Sequence, residues 1–106
     1  VEEIKGDNRV TSLLLKDVQT GQVREQAAGG VFIYVGLDPV SDFATELGIL
    51  DENGWVVTDD HMRTSVPGVF AVGDVRQKDL RQVTTAVGDG AVAGQEAYKY
   101  ITEHEE

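Results

Sequence analysis

The sequence predicts an α/β fold, and three observations lead to this prediction. Residues 1–28 form three strand-like segments divided by turn residues. Two apolar runs without alternation, at residues 31–36 and 69–73, are typical of strands that are covered on both faces. From residue 83 onward, the apolar residues follow helical spacing. With 106 residues, the chain is long enough for a modest core.

The three strand-like segments predict an antiparallel meander. They cover residues 1–5, 10–18 and 22–28, with three leucines at the centre of the second. Turn compositions separate them at residues 6–8 and 19–21. Short strands joined by tight turns pair with their neighbours along the chain.

Between the two apolar runs, the sequence predicts a short helix. Ser41 is placed to cap its start, Glu46 closes it, and Gly48 is its C-terminal stop. Residues 51–54 (DENG) predict a hairpin turn that leads into a strand at residues 55–58.

Residues 66–68 (VPG) predict another turn, which leads into the second apolar run. Together with the final helix, these elements predict a βα lobe.

The final helix has a predicted buried stripe that is small in its first half. This stripe comprises Val83, Ala86, Val87, Gly90, Ala91, Gly94, Ala97, Tyr98 and Ile101. The polar residues Asp89, Gln95, Glu96, Lys99 and Thr102 are predicted to lie on the other side. Each glycine weakens a helix by about 1 kcal/mol relative to alanine, so we expect these glycines to allow another backbone or a flat ligand to approach closely.

Composition excludes several functions. The net charge of −10 argues against nucleic acid and against anionic membrane surfaces, because both need a positive face on the protein. Cysteine is absent, which excludes thiolate chemistry and cysteine-ligated metals within this chain. The two histidines, His61 and His104, lack metal-type spacing, so we predict no metal site. The apolar runs are too short to span a bilayer, and we expect a cytosolic protein.

Two strands that need cover on both faces are combined with a single long helix. Layered folds bury such strands between helices. We therefore expect either a piece of a larger protein or a chain that gains cover by association. A shift of composition near residues 36–39 is the best candidate for a domain boundary.

The junction between the second apolar run and the last helix is the candidate functional site. Gly73 and Asp74 end the run, and Arg76, Lys78 and Arg81 follow. Ligands of open α/β folds bind at the carboxyl ends of strands. The glycine would let the protein backbone approach a ligand closely, and the carboxylate would accept hydrogen bonds from sugar-type hydroxyls. The cations and the helix N-terminus would attract an anionic part. FAD carries both kinds of group. The alternative is structural, with the aspartate capping a turn and the cations in a solvated loop.

Three stretches of the sequence resemble one family. Residues 64–75 (TSVPGVFAVGDV) resemble the second FAD motif of flavoproteins that have two dinucleotide-binding domains. Residues 81–90 (RQVTTAVGDG), followed by Ala93 and Gly94, resemble the low-molecular-weight thioredoxin reductases in particular. The run VFIYVGLDP, at residues 31–39, is similar to the strand of that family that ends in Gly-x-x-Pro.

This resemblance implies roles for five residues. Gly73 and Asp74 would form the FAD turn, with the aspartate binding the ribityl or adjoining hydroxyls. Gln82 and Val83 would present backbone amides to the pyrimidine edge of the flavin, and Arg81 would hold the loop on the flavin side. No residue of this chain is implied to be catalytic.

The resemblance also implies a domain organisation. Residues 1–36 would be the terminal strands of an NADPH-binding domain, and residues 37–106 would be the C-terminal lobe of an FAD-binding domain. Members of the family are about three times longer. The first Gly-x-Gly-x-x-Gly motif, the NADPH fingerprint and the Cys-x-x-Cys pair are missing here, so the chain by itself would be inactive. In the full-length parent, NADPH would be the second cofactor, thioredoxin the partner, and a homodimer or self-association the assembly.

Two alternatives stay open at this point. A ferredoxin–NADP reductase-like protein, or a flavoprotein that reduces a peroxidase, could share this C-terminal lobe. A cofactor-free module that associates through uncovered apolar surfaces is the alternative that is not an enzyme.

Overall fold

A computed structural model describes residues 1–104 of the chain. The chain divides into two compact units, Val1–Gly36 and Leu37–Glu106. We call them the meander unit and the helical unit, and describe each by itself. Within residues 1–104, no helix has the length and apolarity needed to cross a membrane.

The meander unit is built on the predicted antiparallel sheet. Strands β1 (Glu3–Lys5), β2 (Ser12–Lys16) and β3 (Val23–Ala27) pair in the order β1-β2-β3. In this register, Leu13 of β2 lies opposite Ile4 of β1 and Gln26 of β3. The prediction of a meander from turn spacing is therefore confirmed.

The prediction of a buried strand at residues 31–36 is wrong for this structure. The segment belongs to none of the described strands, and residues 32–36 are exposed to solvent. Phe32 and Tyr34 are 86% and 88% exposed. A strand covered on both faces needs neighbouring strands and two covering layers, and the described part of the meander unit provides neither to this segment.

The core of the helical unit is small. It consists of Ala44, Ile49 and Val56, surrounded by the half-buried residues Leu50, Val66, Val69, Ala71 and Val75. The predicted short helix is present as a 3₁₀ helix, Asp42–Leu47, and it stops at the left-handed Gly48 as predicted. Ser41 does not cap this helix, because its hydroxyl donates to the carbonyl of Gly54, at 2.5 Å.

The predicted hairpin turn at residues 51–54 is confirmed. The carboxylate of Asp51 accepts the backbone N–H groups of Asn53 and Trp55, each at 2.9 Å. The strand expected after it is reduced to bridges at Val56, which pairs antiparallel with Leu50 and parallel with Arg76.

The second apolar run also forms less strand than predicted. The turn before it is confirmed, since the Val69 N–H donates to the Val66 carbonyl at 3.1 Å. The run itself keeps a single described bridge, between Phe70 and Arg63. A fully covered strand at residues 69–73 is therefore wrong for this structure, because the described residues do not supply neighbours along its length.

Helix α1, Val83–His104, confirms the predicted final helix, but the face that it buries is rotated from the predicted stripe and shares only Ala86 and Ala97 with it. Asp89 and Glu96, which were expected on the polar side, are buried. Val83 and Tyr98, which were expected in the core, are 80% and 65% exposed. The reason is electrostatic, since the two carboxylates meet cations from residues 63–78.

The glycines of α1 have no close neighbour on this exposed face. A Cβ added at Gly88, Gly90 or Gly94 would meet nothing within 4 Å. The expected close approach of a backbone is therefore not made within the described residues.

Candidate functional site

The candidate site begins at a short 3₁₀ helix, Gly73–Val75, that contacts α1. Gly73 is buried and has φ +76°, a conformation that favours glycine. Its N–H donates to Oδ2 of Asp89 at 2.9 Å, and a Cβ at this position would lie 3.5 Å from that of Ala86. Gly73 therefore lies in ordinary van der Waals contact with helix α1.

Asp74 is the exposed polar group of this turn. Within residues 1–104, its carboxylate accepts no hydrogen bond, so it does not cap the turn through its side chain. Its backbone carbonyl accepts Nε–H of Arg81 at 2.9 Å. An ionised carboxylate without a protein partner is free to accept hydroxyl donors from a ligand.

Two of the three cations after the turn are paired with a single carboxylate inside the protein. Nη1 of Arg76 and Nζ of Lys78 each lie 2.8 Å from Oδ2 of Asp89. Nε–H of Arg76 also donates to the hydroxyl of Thr58 at 2.7 Å. The expectation that these cations form a free positive end for a ligand is therefore wrong for Arg76 and Lys78.

Asp89 is held ionised by these contacts. Burial raises the pKa of its carboxyl group, but hydrogen bonds from Lys78, Arg76 and the Gly73 N–H outweigh burial and lower the pKa to about 2. Sequence reasoning missed Asp89 because its position on the helix indicated a solvated face. The available signal was the excess of cations between residues 76 and 81.

Arg81 connects the turn to an aromatic side chain. Its guanidinium carbon lies 3.6 Å from the ring centroid of Trp55, in cation–π geometry. The same guanidinium donates to the carbonyls of Asp74 and Arg76, each at 2.9 Å. Arg81 therefore holds the loop. Trp55 forms the surface on which Arg81 stacks.

The start of α1 presents one of the two predicted amides. The Gln82 N–H already donates to the hydroxyl of Thr85 at 3.1 Å, as at the start of a capping box. The Val83 N–H lies in the first turn, where helix geometry provides no intrahelical acceptor. Both residues are exposed, and the helix dipole places partial positive charge here.

The structure thus brings the five predicted site residues to one end of α1. Arg81 connects the Asp74 turn to the residues that begin the helix. An unpaired carboxylate and an open amide can bind a ligand that offers hydroxyl donors and an electron-rich acceptor edge. This donor and acceptor set fits the ribityl chain and pyrimidine edge of FAD.

A second buried carboxylate on α1 lies outside this site. Glu96 is 3% exposed and pairs with Arg63 and Lys99, and its Oε1 lies 3.5 Å from Nδ1 of His61. The hydrogen bond from Lys99 lowers the pKa of Glu96 from 4.5 to about 2, and Arg63 adds to this effect against the cost of burial. This cluster attaches α1 to the residue 59–63 turn and is structural.

The described residues combine a small antiparallel sheet with a glycine–aspartate turn that contacts a long C-terminal helix. Residues 1–90 match the family model of the pyridine nucleotide-disulphide oxidoreductases, and the chain belongs to this family.

Relatives within this family are thioredoxin reductases. The chain is 53% identical over 107 residues to the thioredoxin reductase of Listeria innocua and 48% identical over 101 residues to that of Treponema pallidum. These alignments cover 100% and 95% of this chain, but 34% and 33% of the relatives. The chain therefore spans about one third of the length of the curated relatives that it matches.

Solved structures agree with this result. The crystal structure of Lactococcus lactis thioredoxin reductase superposes with a TM-score of 0.78 at 66% identity, over 94% of this chain and 33% of that chain. The Streptococcus pyogenes thioredoxin reductase superposes with a TM-score of 0.76 at 60% identity, over 95% of this chain and 33% of that chain.

Proposed function

We propose that this chain is the C-terminal third of an NADPH-dependent, FAD-containing thioredoxin-disulfide reductase of the cytosol. Residues 1–36 are assigned to the end of its NADPH-binding domain, and residues 37–106 to the C-terminal lobe of its FAD-binding domain. Support comes from the thioredoxin reductases that match this chain along nearly its whole length. The observation that carries the proposal is the exposed Asp74 carboxylate, which has no partner among residues 1–104, in a turn that Arg81 connects to the start of α1.

The proposed contribution of this chain is half of the flavin site. FAD, when bound, supplies the electron-transfer chemistry of such an enzyme. The Asp74 carboxylate accepts hydrogen bonds from the ribityl or adjoining hydroxyls, and the Val83 N–H donates to the pyrimidine edge. Gln82 adds a second amide if its N–H leaves the Thr85 hydroxyl. Gly73 and Arg81 hold the turn in place through Asp89 and Trp55.

The α1 N-terminus has an electrostatic part in this proposal. Its partial positive charge would favour negative charge on a flavin edge bound there, and so would favour the reduced form of the cofactor. The redox dithiol is assigned to the other two thirds of the parent, since this chain contains no cysteine. The NADPH site is assigned there because this sequence lacks the NADPH fingerprint.

The exposed apolar surfaces fit this assignment. Phe32 and Tyr34 of the meander unit, and Val83, Val87 and Tyr98 of α1, are all largely exposed. Exposed apolar patches of this kind mark surfaces that pack against other protein. We assign their cover to the remainder of the parent and to the second subunit of a homodimer.

The test of the proposal is Asp74→Ala in the full-length protein that contains this chain. Loss of the hydroxyl acceptor is expected to lower the FAD bound per protein and to raise the Kd for FAD by about tenfold or more. Flavin absorbance per protein and titration of the apoprotein with FAD measure both quantities. Asp79→Ala is the matched control, because Asp79 is an exposed aspartate of the same loop. Equal flavin content and equal Kd in Asp74→Ala and Asp79→Ala would refute the proposed site.

A further inference from the structure

Asp89 connects the proposed flavin turn to helix α1 through a single atom. Its Oδ2 accepts the N–H of Gly73, at 2.9 Å, and lies 2.8 Å from both Nη1 of Arg76 and Nζ of Lys78. Gly73 immediately precedes Asp74, and Arg76 follows two residues later. The chain on both sides of the Asp74 carboxylate is therefore fixed by one buried side chain.

The same contacts control the charge around Asp74. Arg76 and Lys78 have side chains that are 10% and 12% exposed, and both are directed to Asp89. If Asp89 were uncharged, two cations close to Asp74 in the chain would lack their carboxylate partner. Asp74 is exposed and unpaired among the described residues, so it would become an available partner for them. A cation paired with the Asp74 carboxylate would compete with the hydroxyl donors of a ligand for the carboxylate oxygens.

The backbone of the turn depends on Asp89 as well. Gly73 has φ +76° and is buried, and its N–H has the Asp89 oxygen as acceptor. A buried N–H without an acceptor is costly, so loss of this oxygen favours a different conformation of the turn.

We infer that Asp89 is a positioning residue of the proposed FAD site, which fixes the Gly73–Asp74 turn and keeps Arg76 and Lys78 away from the Asp74 carboxylate. The inference rests on the proposed function and deepens it, because it assigns flavin affinity to a residue that does not contact the ligand. The effect on Arg76 and Lys78 depends on the charge of Asp89, whereas the effect on the turn depends on the position of its oxygen. Variants that change the charge or the oxygen position therefore test the two effects separately.

The experiment compares variants of the full-length protein by their Kd for FAD, the spectrum of bound flavin and the midpoint of thermal unfolding. Asp89→Asn keeps an oxygen for the Gly73 N–H but loses the charge, and is expected to raise the Kd about tenfold. Adding Lys78→Met to Asp89→Asn removes one of the freed cations. This change is expected to lower the Kd for FAD again, by about threefold or more. Glu96→Gln is the matched control, since it neutralises the other buried carboxylate of α1 and is expected to leave the Kd unchanged.

A merely structural role would give another pattern. Asp89→Asn and Glu96→Gln would then lower the unfolding midpoint alike. An unchanged Kd for FAD in both variants overturns the inference. A raised Kd of Asp89→Asn that does not fall again on adding Lys78→Met overturns it as well. If Asp89→Asn does not fold, Asp89→Glu decides, because it keeps the charge and displaces the oxygen by one methylene. We expect an increase in Kd of about threefold for Asp89→Glu, and an unchanged Kd overturns the inference.

Asp74→Ala, measured in the same series, separates this inference from the proposed function. If Asp74→Ala loses flavin while Asp89→Asn binds it normally, Asp89 is not a positioning residue and the proposed site stands. If neither variant changes the Kd, the proposed site itself fails and the inference fails with it.

Discussion

Two carboxylates of α1 show how single residues depend on their tertiary surroundings. Asp89 and Glu96 occupy positions that helical spacing assigns to a polar face, yet both are buried. Each is stabilised by cations from other segments of the chain, which are Arg76 and Lys78 for the first and Arg63 for the second. Burial of an ionised group is tolerated only when such partners are present.

These carboxylates predict acid sensitivity of the helical unit. The folded protein lowers the pKa of Asp89 from 3.8 to about 2 and that of Glu96 from 4.5 to about 2. A lowered folded pKa adds stability that is fully present above the unfolded pKa and is lost as the pH falls through the folded value. We therefore expect the stability contributed by the two groups to be constant above about pH 5 and to fall between pH 4.5 and 2.

Urea unfolding of the 106-residue chain, followed by circular dichroism from pH 6 to 2, measures this dependence. The double variant Asp89→Asn, Glu96→Gln is expected to be less stable at pH 6 and to vary less with pH. Parallel curves for the double variant and the unchanged chain would show that neither carboxylate has a lowered pKa.

Helix α1 shows at the scale of an element that one sequence pattern can support two packing faces. The stripe that includes Gly90 and Gly94 was predicted to be buried, but the described residues leave it open. The buried face carries Asp89 and Glu96, with Ala86 of the predicted stripe half-buried at its edge. Under the proposed function, the open stripe is the surface on which the remainder of the parent packs.

The glycines of α1 provide a test of this second face. Gly94→Ala in the 106-residue chain is expected to increase stability by about 1 kcal/mol, because alanine is the better helix former and nothing lies near its Cβ. In the full-length protein, we expect the same change to lower stability by about 1–3 kcal/mol, because an added methyl group overpacks a close contact. Urea unfolding measures both effects. Stabilisation in both proteins would exclude close packing on the glycine stripe.

At the scale of the whole molecule, apolar surface is exposed on each of the two units. Residues 32–35 of the meander unit are apolar and largely exposed, as are several residues of α1. Soluble monomers rarely expose contiguous apolar patches beyond a few hundred Å². An extended apolar segment without strand partners also offers its backbone for pairing with another chain.

We therefore predict that the 106-residue chain associates with itself. Sedimentation equilibrium is expected to give a mass above that of the 11.5 kDa monomer at micromolar concentration. The double variant Phe32→Ser, Tyr34→Ser is expected to shift the equilibrium toward monomer, at least about tenfold in dissociation constant. Val18→Ser is the control, since Val18 is an exposed apolar residue at a turn of the same unit. A monomer in every variant would contradict the prediction.

The sequence by itself determined the elements whose cause is local. Turn residues and short alternating segments predicted the meander β1-β2-β3, and helical spacing predicted α1, because both depend on neighbours along the chain. The motif at residues 64–75 also indicated the family that the comparison with residues 1–90 shows.

Only the tertiary structure decided which surfaces are buried and which charges are paired. In this structure, residues 31–36 lack strand partners and the Asp89 face of α1 is buried. Arg76 and Lys78 form ion pairs with the Asp89 carboxylate. The tertiary structure also placed Arg81 on Trp55. The physical reason is that burial and ion pairing depend on groups that are distant in sequence, and a local pattern specifies a periodicity without specifying what lies against it.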